Sequence, residues 1–339
     1  MSAYKFSSED ISSGAPGYMP PLSVEFSPDG ELLTYLYPDE TGKRKVFAVD
    51  LGEEAVSQGS FKLFDTAAST EGMSLQEQLR RERMRLFTQG IASYEWSHCT
   101  PPSLPPCQRM IVPLNGKVLL FERQSATGNT GSKSGNSVTG YCTVAYDGSG
   151  GEAVDPHLSP DGLKLAFVIN DDLYFMHIPI LTAEETGADT PTPTPAPIRL
   201  THNGAKRGVT CGLADFLAQE EMDRYRGFWW SPDSCSIVYA QADESQVPDF
   251  DISHPGKAEP TKHTETHRYP FAGQVNPLVT LAVVRLETSY GAVPISGSEH
   301  VWLDLVDSQD PSFTTVKALG VKGKEGEGKE GKEGKEGEE

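Results

Sequence analysis

The chain has 339 residues, of which 37% are hydrophobic and 9% aromatic, and a formal net charge of −19 at pH 7. That is enough apolar material for a large core in one or two domains. The charge disfavours nucleic acid phosphates and anionic lipid as partners, and no basic patch offsets it.

Residues 1–19 read as an N-terminal extension. They lack the apolar run of a signal peptide, and no later stretch approaches the length of a membrane span, so a cytoplasmic protein without a membrane partner is expected. Five cysteines, at positions 99, 107, 142, 211 and 235, include no Cys-x-x-Cys pair. Neither a zinc cluster nor a disulfide framework is indicated, and neither a metal nor a cofactor is expected.

The first recognisable unit is Val24-Glu25-Phe26-Ser27-Pro28-Asp29-Gly30 leading into Glu31 to Leu36. Proline fixes φ, aspartate caps the turn and glycine supplies the positive φ that lets the chain double back, so this is a hairpin. The phrase returns as Pro156-His157-Leu158-Ser159-Pro160-Asp161-Gly162 before Leu163 to Val168, and as Trp229-Trp230-Ser231-Pro232-Asp233-Ser234 before Cys235 to Ala240. Glu95-Trp96-Ser97 is a degenerate fourth copy. Alternation follows the turns, with Lys164, Ala166 and Val168 set against Leu165 and Phe167. Repeated hairpins at intervals of tens of residues indicate an all-β β-propeller, with room for about five or six blades of 40 to 50 residues each.

Between the first two copies, Ser74 followed by Glu77 makes a capping-box start for a helix running to Leu86. Leu75, Leu79 and Leu86 share one face, and Arg81 and Arg85 lie together on the other. That second face is either a solvated one balanced by Glu77 and Glu82, or one from which an arginine turns inward to hold a carbonyl or carboxylate. Residues 124–140 and 183–197 are Gly/Ser/Thr-rich and Thr/Pro-rich, and read as loop inserts. From Val321 onward Lys, Glu and Gly recur with almost no apolar content, and disorder is expected.

Gln219-Glu220-Glu221-Met222-Asp223-Arg224 precedes the third hairpin. Two adjacent carboxylates repel each other and need cations or water. Such a pair lies on a solvated helical face, or faces an interior funnel where it suits a primary ammonium with its three donors and one charge. His157, His202, His254, His263 and His267 read as loop or strand-edge histidines. No Gly-x-Ser-x-Gly nucleophile elbow occurs; Gly131-Ser132-Lys133-Ser134-Gly135 fails by register.

The arginine-rich helix running into Gly90-Ile91-Ala92-Ser93-Tyr94, the Gln219–Arg224 segment, the Trp229–Ser234 turn, Asp243-Glu244-Ser245 and His267 to Pro277 resemble, in order, the N-terminal β-propeller region of the dipeptidyl peptidase IV family, and look closer to its cytosolic and bacterial branches. The resemblance implies an eight-bladed propeller, here incomplete and carrying short helical inserts, packed in the family on an α/β-hydrolase domain. It implies a serine exopeptidase that releases N-terminal Xaa-Pro or Xaa-Ala dipeptides. Carried over by position, Glu220 and Glu221 match the glutamates that bind the substrate α-ammonium, and Arg85, with Arg81 and Arg83 as alternatives, matches the arginine that contacts the substrate backbone.

The expected organisation is therefore an extension over 1–19, a propeller domain over 20–310 and a disordered tail over 311–339. Without the elbow, the chain is expected to be inactive alone, as a truncated form whose catalytic domain would be encoded downstream. Peptides with a free N-terminus are the expected partners. The alternative is a non-catalytic propeller that binds peptides or proteins.

Overall fold

The computed structural model describes residues 20–52, 59–63, 75–85, 90–97, 107–124, 140–179, 195–204, 206–253, 264–286, 300–304 and 317–319. Its strands form a succession of antiparallel meanders. The first blade is β1 (Leu22–Phe26), β2 (Leu32–Pro38), β3 (Arg44–Asp50) and β4 (Phe61–Lys62). The second is β5 (Glu95–Trp96), β6 (Cys107–Leu114), β7 (Lys117–Gln124) and β8 (Gly140–Tyr146), and the third is β9 (Val154–Leu158), β10 (Lys164–Ile169), β11 (Asp172–His177) and β12 (Ile198–Arg199). In the fourth, β15 (Ser236–Asp243) pairs with β13 (Val209–Cys211) and β14 (Phe228–Trp230) on one side, and with β18 (Leu278–Arg285), β19 (His300–Asp304) and β20 (Lys317–Leu319) in turn on the other. A hairpin of β16 (Asp249–Ser253) and β17 (Thr264–Arg268) leaves this sheet between β15 and β18.

Each blade packs face to face on the next. Leu36 and Val46 meet Trp96, Met110 and Phe121; Ile111, Val118 and Leu120 meet Leu165, Phe167 and Met176; Ala166, Val168 and Phe175 meet Phe228, Ile237, Tyr239 and Val284. The alternation read along β10 is therefore real, and yet all six of its residues are buried, because a middle blade has protein on both faces. This is the blade stacking of a β-propeller. The described residues form four blades and the β16–β17 hairpin. No core cluster among the described residues joins the first blade to the fourth.

The repeated turn works identically in each copy. Ser27, Ser159 and Ser231 each accept from a backbone N–H five residues on, that of Leu32, Lys164 or Ser236, at 2.9 Å, while each hydroxyl donates to Asp29, Asp161 or Asp233. Gly30 and Gly162 take the left-handed conformation at φ 73° and 69°, and Ser234 takes it at 59° in the third copy. In the degenerate copy, Ser97 pairs with Arg109 across the long 98–106 connection. These turns also join blades: Asp161 N donates to Ser234 Oγ at 3.0 Å, Arg109 Nη1 to Gly162 O at 2.9 Å, and Arg123 Nη1 to Asp29 Oδ2 at 2.6 Å.

The fourth sheet extends past the 310 boundary, because Lys317–Leu319 adds as β20 along β19 with Trp302 opposite Leu319. Residues 1–19, most of both inserts, the Ser74 cap and the Lys/Glu/Gly run lie outside the described residues, as do the side chains of Leu75, Glu77 and Leu79.

Candidate functional site

Two short helices meet beside the third and fourth blades. Helix α1 (Leu75–Arg83) belongs to the connection between the first and second blades, and α2 (Phe216–Glu221) to the segment between β13 and β14 of the fourth blade. Asp215 caps α2 by accepting from Ala218 N at 3.1 Å, and Arg224 Nη2 lies 3.3 Å from the same carboxylate. The helix ends at Glu221, short of Asp223, which takes φ 52° and turns the chain toward β14.

Arg83 makes the junction between the helices. Its Nη1 donates to Gln219 Oε1 at 2.8 Å, its guanidinium stacks 4.9 Å from the Phe216 ring centroid, and its Nε lies 3.8 Å from Glu220 Oε1. The Tyr225 hydroxyl donates to the Arg83 carbonyl at 3.1 Å. Arg81 turns away, buried, and donates to Gly90 O at 3.1 Å. Arg85 lies just past the helix at φ 56°, exposed, and its charge is felt by the Tyr225 hydroxyl together with that of Glu220. Glu220 and Glu221 are both exposed at the end of α2. They stand beside the arginine helix, at the surface rather than inside an enclosed funnel.

A cavity of about 210 Å³ lies under this junction, lined in part by Arg83, Asp215, Gln219, Tyr225 and Glu244. Burial, and then the nearby Asp215 charge, raise the Glu244 carboxyl above its ordinary range, and its Oε1 has no hydrogen-bond partner among the described residues. The cavity therefore favours a donor.

A second group was not foreseen from the sequence. Asp155 is 2% exposed and sits at φ 51° beside a β-bulge of β9; it accepts from Arg80 Nη2, and its Oδ1 lies 3.1 Å from His157 Nε2. Burial works to raise the Asp155 carboxyl, but the Arg80 charge, with His157 and Arg226 behind it, overcomes this and holds it at about 2. His157 Nδ1 faces both Glu95 Oε2 and, at 2.7 Å, Arg226 Nη2. Burial lowers the His157 pKa, yet Asp155 and Glu95 outweigh it and the net direction is upward. These groups line a cavity of about 670 Å³ with Glu25. One signal could have found them. Glu25, Glu95 and His157 each stand two residues before the serine of their own repeat, so equivalent inner strands aim all three at one cavity.

Residues 122–319 match the family model described as the dipeptidyl peptidase IV (DPP IV) N-terminal region. The chain belongs to this family.

Among relatives of this N-terminal region, dipeptidyl peptidase 8 of Homo sapiens is 28% identical over 235 residues, covering 64% of this chain and 23% of that protein. Dipeptidyl peptidase 4 of Felis catus is 32% identical over 132 residues, covering 38% of this chain and 15% of that protein. The crystal structure of Porphyromonas gingivalis dipeptidyl peptidase 4 aligns over 89% of this chain and 38% of its own, with a TM-score of 0.47 and 18% identity. The chain thus spans less than a quarter of the length of those two curated relatives. The matched DPP IV region takes in α2, Asp155 and His157, whereas α1 precedes it.

Proposed function

We propose that this chain is the substrate-gating propeller portion of a dipeptidyl peptidase IV-like serine exopeptidase, which releases Xaa-Pro or Xaa-Ala dipeptides, and that Glu220 and Glu221 grip the peptide's α-ammonium. The observation that carries the reading is the docking of α1 on α2, which sets Arg83 Nε 3.8 Å from Glu220 Oε1 beside exposed Glu221. An ammonium offers three donors to two fixed carboxylates, and the nearby arginines, Arg85 being the exposed one, offer donors to the peptide's carbonyls. Pinning the amino end at a fixed place makes specificity a matter of length, because the bond to be cut lies a set distance from the clamp. Each charge-assisted hydrogen bond contributes about 1.5 to 3 kcal/mol, enough to reject an acetylated N-terminus. Hydrolysis itself would come from a serine in a hydrolase domain, since these 339 residues contain no Gly-x-Ser-x-Gly.

The test is calorimetry on the full chain with the tetrapeptide Ala-Pro-Ala-Ala, free and N-acetylated. Free peptide should bind, the acetylated form should not, and Glu220→Gln or Glu221→Gln should weaken binding by about tenfold. Equal binding of both peptides sinks the ammonium reading. Cleavage of Xaa-Pro substrates by the purified chain alone would overturn its non-catalytic role.

A further inference from the structure

The ammonium clamp requires α1 to lie against α2, yet α1 belongs to a distant connection and must be held there by something other than the clamp residues. Arg80, three residues before Arg83 and on the same helix, reaches the third blade and pairs with Asp155 Oδ1. Asp155 is almost wholly buried, lies in a blade that is packed on both faces, and adopts a left-handed backbone conformation that aspartate tolerates only at some cost. Its Oδ1 also faces His157 Nε2, and His157 in turn meets Glu95 of β5 and Arg226 of the segment before β14. Side chains from the second and fourth blades thus meet His157, which itself faces the carboxylate that receives Arg80.

We infer that Asp155 is a positioning residue of the clamp: through Arg80 it fastens α1 to the third blade, and so places Arg83 and Arg85 beside Glu220 and Glu221. The inference rests on the clamp reading of those glutamates. Arg80 and Arg83 lie nearly one helical turn apart, so one can be pinned at the blade while the other reaches α2. The helix is held electrostatically at buried Asp155, through Arg81 at Gly90 O, and by the contacts of Arg83 with Gln219, Phe216 and Tyr225. Loss of the Asp155 contact removes the attachment to the third blade and leaves a nine-residue helix, too short to be stable by itself, free to shift about the remaining contacts.

The experiment measures two things on the full chain: hydrogen-exchange protection of the amides in 75–85, and calorimetric affinity for Ala-Pro-Ala-Ala with a free amino end. Asp155→Asn keeps the shape and removes the charge; Arg80→Gln removes the partner charge from the partly exposed side, should the first variant fail to fold. Both should lower α1 protection by about tenfold or more with β10 protection unchanged, and both should weaken peptide affinity about as Glu220→Gln does. Arg80→Lys should restore much of each loss, which a purely steric role would not produce.

Unchanged α1 protection in both charge-removing variants would overturn the inference. So would a loosened α1 with wild-type peptide affinity while Glu220→Gln still weakens binding, an outcome that leaves the clamp intact but not positioned by Asp155. If Glu220→Gln binds as wild type does, or the wild-type chain does not bind, the clamp reading fails first and the positioning role falls with it.

Discussion

Arg83 Nη1 donates to Gln219 Oε1 at 2.8 Å, joining two residues 136 positions apart and bringing the helix that connects the first two blades onto a helix within the fourth. The contact is partly buried and backed by Phe216, so it should carry measurable energy. Arg83→Met is expected to cost about 1 to 2 kcal/mol, from the lost hydrogen bond and the lost cation–π contact. Urea denaturation of the variant against Gln219→Met and the double variant measures the coupling. Simple additivity would show that the two side chains act separately.

Arg109 and Glu122 form a buried ion pair at 2.5 Å, each about 2% exposed, with further Arg109 donors to Gly162 O and Pro179 O of the third blade. Arg109→Met should destabilise by about 3 to 5 kcal/mol, because the buried Glu122 carboxylate loses its guanidinium partner. The double variant Arg109→Met with Glu122→Met should recover a large part of that in thermal melts. A double variant as unstable as the single would show that the carbonyl contacts, not the stranded charge, dominate.

Ser234 occupies a left-handed position that glycine fills in the two other copies, and its hydroxyl accepts from Asp161 N of the third blade at 3.0 Å. Ser234→Gly relieves about 1 kcal/mol of backbone strain but abandons that N–H, a loss of about 1 to 3 kcal/mol. Ser234→Ala keeps the strain and loses the bond. Wild type, glycine and alanine should therefore rank in that order of melting temperature; an alanine variant above the glycine one would refute the argument.

Stability should depend on pH through the network at Asp155. The folded pKa of Asp155 is depressed to about 2 from 3.8, so its contribution is present above 3.8 and is lost as pH falls toward 2. The folded pKa of His157 is raised, so its contribution is complete below 6.5 and is lost as pH rises through the higher folded value. Urea midpoints collected from pH 2 to 9 should show both limbs, and His157→Gln should remove the alkaline one and also shrink the acid one, since His157 helps to hold the Asp155 carboxyl low. An alkaline limb unchanged in that variant would assign it to another group.

The serine, aspartate and glycine of each hairpin were legible because turn chemistry is local: Ser27, Ser159 and Ser231 make the same bonds wherever the phrase occurs. The alternation along β10 was legible for the same reason. His157 stands on β9, an edge strand of its sheet, as read, but nothing nearby in the chain announces Glu95 or Arg226 as its neighbours. Among the arginines of α1, periodicity paired Arg81 with Arg85, whereas docking buried Arg81 against Gly90 O and gave Arg83 to α2.

By itself the sequence determined the repeating turns, the strands around them, the kinship of the acidic segment with the dipeptidyl peptidase IV N-terminal region, and the presence of a helix rich in arginine. Only the tertiary structure decided which arginine meets Glu220 and which carboxylate anchors the helix. The reason is physical: turn geometry is set by neighbours along the chain, whereas the direction of a long charged side chain is set by whatever the fold packs against it.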